Sequence, residues 1–118
     1  MNELTNRQFT HLKIHTQYSI CEGALRTLDL AKYCKTNQIK AVGLCDSNNL
    51  CGALEFSETI AKSKTQPIIG TQIDIQYKGH KGKIPLFAKN LEGYKNLIKL
   101  SSKSFLEIKD DEEPHCKI

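Results

Sequence analysis

Apolar runs short enough to be strands alternate along this chain with longer stretches of helical periodicity, which confines it to an α/β fold. Residues 9–15 alternate as a strand would, with Phe9, His11, Lys13 and His15 on one side and Leu12 and Ile14 on the other. A polar loop over 16–26 leads to a helix that Thr27 can cap, with Leu28, Ala31 and Cys34 as its apolar stripe. A second strand over 41–45 leaves through the polar run Asp46-Ser47-Asn48-Asn49. Leu50, Ala53, Leu54, Ser57 and Ala61 then recur at helical spacing, with Phe56 and Ile60 widening the face.

A third strand opens at Pro67 and continues through Ile73 and Ile75 to Tyr77. The turn Lys78-Gly79-His80-Lys81-Gly82 joins it to the antiparallel run Ile84-Pro85-Leu86-Phe87-Ala88, in which Pro85 belongs on a sheet edge. A last helix, starting at Leu91 or Glu92, places Tyr94, Leu97, Ile98, Ser101 and Phe105 inward. This order is the opening of a parallel barrel or layered α/β fold, and three or four strands cannot close a barrel. The 118 residues fit one compact domain near the lower end of self-sufficient size, so the chain is expected to be part of something larger. The reading divides it into a partial domain over 1–106 and an acidic loop or truncated connection over 107–118, marked by the Glu113-Pro114 step.

The formal charge of +4 hides an asymmetry. Glu107, Asp110, Asp111, Glu112 and Glu113 crowd the end, while residues 1–106 carry 15 basic and 8 acidic side chains, a formal charge of +7. Such a body attracts polyanions, yet its lysines are scattered, and Lys78, Lys81 and Lys83 fit a solvated hairpin better than a nucleic-acid groove. The odd set Cys21, Cys34, Cys45, Cys51 and Cys116 has no CxxC pair and argues for reduced thiols rather than a disulfide framework. Residues 1–10 are polar without a signal-peptide core, and no run approaches a membrane span, so a cytoplasmic location is expected.

In an α/β barrel the working groups stand at the C-terminal ends of strands. Lys13 and His15 close the first strand, Glu22 lies in its loop, Asp46 and Ser47 follow the second, and Gln72 is within the third. Two or three divalent ions need more imidazoles and carboxylates than this set supplies. His11 reads as a structural hydrogen-bonding histidine. His80 and His115 fall in segments expected to be exposed, and the neighbours His115 and Cys116 do not make a metal site by themselves. Cys45 reads as core packing and Cys51 as a helix-start residue. Gly23, Gly43, Gly52 and Gly70 lack phosphate-loop spacing and fit tight turns or close backbone approach.

Taken in order, His11-Leu12-Lys13-Ile14-His15-Thr16, Tyr18-Ser19, Glu22-Gly23-Ala24, Asp46-Ser47-Asn48-Asn49-Leu50, Gly52, Pro67-Ile68-Ile69-Gly70 and Gly93-Tyr94-Lys95-Asn96-Leu97 resemble the PHP (polymerase and histidinol phosphatase) domain at the N-terminus of bacterial replicative DNA polymerase III alpha subunits. Essentially the whole chain takes part. The resemblance implies the N-terminal part of a distorted seven-stranded β/α barrel, whose intact form binds metals and in some members hydrolyses phosphoesters as a 3'-5' exonuclease. In metal-binding members a histidine stands at the position of Lys13, and His15 matches the next ligand. Glu22 stands where an aspartate is usual, Ser47 replaces the histidine of Thr-Asp-His-Gly, and Gln72 replaces a glutamate.

His15, Glu22 and Asp46 are thus the residual metal positions, and Lys13, Ser47 and Gln72 the degenerate ones. A serine hydroxyl is a poor ligand, glutamine is neutral, and a lysine ammonium repels a metal ion. Lys13 either pairs with Glu22 or Asp46, taking the ion's electrostatic role, or extends into solvent beside a polar loop. These departures point to a noncatalytic structural segment without a cofactor, in a parent that the resemblance implies is a DNA-directed DNA polymerase. Its partners would be the rest of the alpha subunit, the proofreading and other polymerase III subunits, and DNA held mainly by domains absent here. One alternative is a metal-dependent phosphoesterase or 3'-5' exonuclease using Mn, Zn or Mg, completed by residues beyond Ile118. Another is a stand-alone binding protein from a split polymerase gene, whose exposed strand edges would make it oligomerise.

Overall fold

The computed structural model describes residues 9–118. The elements run α1 (Thr27–Thr36), β1 (Ala41–Ser47), α2 (Ala53–Lys62), β2 (Gln66–Tyr77), β3 (His80–Phe87), α3 (Leu91–Leu106) and β4 (Cys116–Lys117). They build an open mixed sheet in the order β1-β2-β3, with β1 parallel to β2, β3 antiparallel to it, and the short β4 also parallel to β2 at Ile75 and Gln76. The polar residues 1–8, and with them most of the segment expected to lack a leader, lie outside the described residues. No helix among the described residues is long and apolar enough to cross a membrane.

One core lies between the sheet and the first two helices. Leu30, Ala31 and Cys34 of α1 meet Val42 and Leu44 of β1 and Ala53, Phe56 and Ile60 of α2, with Ile14, Ile39, Leu50, Ile69 and Tyr94 packed around them. β1 is buried on both faces, which explains why it reads as a continuous apolar run rather than an alternating one.

The expected first strand is not a regular one. The segment runs beside β1 through three backbone bonds, Gly43 N to His11 O at 2.7 Å, Ile14 N to Gly43 O at 3.3 Å and Cys45 N to Ile14 O at 2.8 Å, with one bridge pairing Ile14 and Leu44. Gly43 makes this approach feasible, since a Cβ there would stand 2.7 Å from the Leu12 carbonyl oxygen.

Both outer helices are rotated from the faces that apolar residues suggest. In α1 the buried set is Thr27, Leu30, Ala31 and Cys34, and Leu28 is exposed. Thr27 is the first helical residue rather than the cap; that place belongs to Arg26, which makes no side-chain capping bond. In α3, capped by Asn90 accepting from Gly93 N at 2.8 Å, Leu97 and Ser104 are buried, while Ile98 and Phe105 are exposed. In α2, which begins at Ala53 rather than Leu50, Leu54 and Ala61 face solvent, and Phe56 and Ile60 form the centre of the buried face.

The hairpin turn is shorter than the lysine- and glycine-rich run suggests. Lys78 (φ 47°) and Gly79 (φ 79°) alone form it, the positive φ pair that a two-residue hairpin needs, and His80 already pairs with Tyr77. Pro85 sits opposite Gln72 on β3, an outer strand that does not need its missing N–H.

Candidate functional site

The end of β1, the middle of β2 and the loop over 16–25 meet at one point. Register sets Asp46 beside Thr71 and Ser47 beside Gln72, so residues 25 apart in sequence share one rim. The loop closes on itself through Ser19 N to Thr16 O at 3.0 Å, Gly23 N to Ser19 O at 2.8 Å and Gln17 N to Leu25 O at 3.1 Å. Gly23 is required here, because a Cβ would overlap the Thr16 carbonyl oxygen.

Asp46 is the anchor of this arrangement. Its side chain is fully buried, and it accepts from Thr16 N at 2.6 Å and Ser19 Oγ at 2.7 Å on one oxygen and from Thr16 Oγ1 at 2.7 Å on the other. Ser19 Oγ in turn accepts from Ser47 N at 3.0 Å, and Thr71 Oγ1 donates to the Asp46 carbonyl at 2.7 Å. Three donors on a buried carboxylate satisfy it without a cation. This corrects the idea that Lys13 pairs with Asp46: Thr16 and Ser19 do so, and Lys13 is exposed.

Glu22 lies on the surface and accepts the Ser47 hydroxyl at 2.6 Å. That bond holds its carboxyl below its ordinary value against the opposing effect of burial; the nearby charges of Lys83, His15 and Lys13 act in the same direction as the bond. No ion pair joins Lys13 to Glu22. The pairs among the described residues are Arg26 with Asp29 and Lys103 with Glu107. His15 is half-buried, with Nδ1 3.4 Å from Ser19 Oγ. Gln72 is buried, and its Oε1 has no hydrogen-bond partner.

A cavity of about 420 Å³ opens beside Glu22 and Ser47, walled by Tyr18, Asp74, Lys83 and Phe105. Tyr18 donates its hydroxyl to Glu55 of α2, which raises the phenol above its ordinary value, and its ring fills the space a Cβ on Gly52 would need. A larger cavity, about 630 Å³, lies between the β2–β3 hairpin and residues 111–115 and contains none of the expected ligand positions. Asp74 Oδ1 and His115 Nε2 are buried without partners at its wall. His115 is therefore half-buried rather than exposed, its Nδ1 2.9 Å from the Glu113 carbonyl.

The structure thus brings Glu22 and Ser47 into contact, sets Gln72 beside Ser47, and holds Asp46 away from the mouth. Among the described residues, no group of three or more His, Cys, Asp or Glu side chains converges as metal ligands would. Sequence reasoning gave Thr16 and Ser19 no separate role and read Lys83 only as part of a solvated hairpin. The first two lie inside the opening motif, so a buried aspartate at a strand end needing donors was a usable signal. Lys83 needed the hairpin register, which sets it opposite Asp74. His11 bonds through its backbone carbonyl, and its ring stands edge-on to Phe9 with centroids 4.8 Å apart. Cys45 is fully buried, which pushes its thiol up to about 11 and leaves it an inert packing group.

The model of the PHP domain matches residues 11–117. Among similar proteins, the DNA polymerase III subunit alpha of Helicobacter pylori is 40% identical over 110 residues, covering 86% of this chain and 9% of that protein. The Rickettsia prowazekii counterpart is 41% identical over 99 residues, covering 83% and 8%. The chain therefore spans about a tenth of the length of these relatives. A solved structure of a Bifidobacterium adolescentis protein, named for metal-dependent phosphoesterase activity, superposes with a TM-score of 0.60 at 15% identity, covering 80% of this chain and 34% of that one, a likeness of fold. The chain belongs to the PHP domain family.

Proposed function

We propose that this chain is a noncatalytic structural segment of a bacterial replicative DNA polymerase III alpha subunit, acting in the cytoplasm. It supplies the first part of a distorted seven-stranded barrel against which neighbouring polymerase elements rest. The relatives and the order of motifs support the parent; the state of Asp46 supports the lack of catalysis. A carboxylate that already accepts three protein donors has little left for an ion, and the donors around it do not fit a divalent cluster. Lys13, Ser47 and Gln72 bring a cation, a hydroxyl already bound to Glu22, and a neutral amide where ligands would be needed.

A second reading, a metal-dependent phosphoesterase or 3'-5' exonuclease, is favoured by the fold likeness and by His15 and Glu22 lying near one mouth. It would need further ligands from polypeptide outside these residues. Primer extension and metal-dependent 3'-5' hydrolysis, measured together on the full-length subunit, separate the two readings. Glu22→Gln combined with His15→Ala is expected to leave extension within about twofold and to remove no hydrolytic activity, since on the scaffold reading neither side chain touches a reacting group. Loss of a metal-dependent 3'-5' hydrolysis in that variant would overturn the scaffold reading.

A further inference from the structure

Lys83 shares the smaller cavity with Glu22, Ser47 and Asp74, and that grouping has a chemical consequence. Register puts Lys83 directly opposite Asp74 on one face of the hairpin, and Gln72, two residues along β2, is on that same face beside Ser47. The carboxylates at this cavity are Glu22, Asp74 and Glu113, and Lys83 is the only cationic side chain in its wall among the described residues. Asp74 Oδ1 is buried and has no hydrogen-bond partner. Lys13 and His15 reach the same field from the N-terminal segment, but they are not part of the cavity wall.

We infer that Lys83 is the mouth's resident positive charge: its ammonium supplies, through space, the charge that a bound metal ion would otherwise give to Glu22 and Asp74, and by doing so it keeps divalent ions out. This rests on the scaffold reading and names the residue that enforces it. Lys83 makes no ion pair within 4.0 Å of either carboxylate, so the effect is that of a charge across an open cavity. Such a charge acts on a doubly charged ion by about 1–2 kcal/mol at moderate ionic strength and weakens as salt is added.

The test is a Tb³⁺ titration read by luminescence sensitised through Tyr18, which lines the cavity, repeated with Mn²⁺ by electron paramagnetic resonance. Lys83→Met, and Lys83→Gln as a second neutral variant, are expected to tighten ion binding about tenfold over the unaltered chain. Glu22→Gln added to either should abolish the gain, and Lys13→Met alone should produce much less of it. Neutral Lys83 variants that bind no more tightly than the unaltered chain, or a gain that survives Glu22→Gln, would overturn the inference and leave the scaffold reading standing. Tight binding by the unaltered chain would instead defeat the scaffold reading itself. β3 is an outer strand on which Lys83 is exposed, so both substitutions leave the core intact.

Discussion

Asp46→Ala is expected to destabilise the fold by about 3–5 kcal/mol, because it orphans a buried amide and two buried hydroxyls at once. Thr16 N, Thr16 Oγ1 and Ser19 Oγ all donate to this carboxylate, and Thr16 and Ser19 are themselves buried, so water does not readily replace it. Asp46→Asn should cost less, about 2–3 kcal/mol, since one oxygen remains while an NH₂ group is turned toward a donor. Urea denaturation of the three proteins gives the comparison. Against a total stability of about 5–15 kcal/mol, the alanine variant should be partly unfolded at moderate temperature. If Asp46→Ala melts within experimental error of the unaltered chain, the carboxylate is not an anchor, and a role as a free ligand becomes the better account.

Gly23→Ala is the second large effect, expected at about 2–3 kcal/mol, comparable to overpacking in a rigid environment. The new methyl would collide with the Thr16 carbonyl oxygen, a backbone atom that cannot swing away as a side chain would. Relief requires opening the loop, which breaks Gly23 N to Ser19 O and carries Glu22 off Ser47. Denaturation should therefore show the loss of stability, and hydrogen exchange should show faster opening confined at first to residues 16–25. Gly79→Ala is the matched comparison: it lies at positive φ with open space around it, so it strains only the turn. Equal protection of the loop in the Gly23→Ala protein would show that this close approach is not what shapes it.

The order from the first helix to the last was legible because strand and helix periods differ sharply, whereas the run over 9–15 makes only an isolated bridge at Ile14 and the short β4 lies in the segment read as a loop. The faces of two helices were less so, for one physical reason. Thr27 and Ser104 occupy tight inward positions that apolar periodicity assigns to Leu28 and Phe105. Ser104 can be buried because its hydroxyl donates to the Ser101 carbonyl at 2.6 Å. Thr27 Oγ1 has no such partner. Hydrophobicity alone cannot place a small hydroxyl residue at a buried helix position.

The site was legible to the extent that it is local. Glu22 and Ser47 were singled out from short motifs, and the structure joins them by a hydrogen bond. What holds Asp46 depends on the loop over 16–25 folding back across the end of β1, a contact spanning about 30 residues that no local pattern encodes. Lys83 is a similar case. As one of three lysines in a glycine-rich run it resembled solvated surface, and only the two-residue turn, with the register that follows from it, carries it to the mouth.

The central claim, that these residues form a supporting body without a resident ion, is tested most directly by metal stoichiometry. Purified protein grown with added Mn or Zn would be compared with a chelator-stripped control by inductively coupled plasma mass spectrometry. Metal at the level of the stripped control is the predicted result, with Asp46 held by Thr16 and Ser19 and Lys83 as the cation at the mouth. A stoichiometric ion that is lost on replacing His15 or Glu22 would contradict the account and make phosphoester hydrolysis the working assumption.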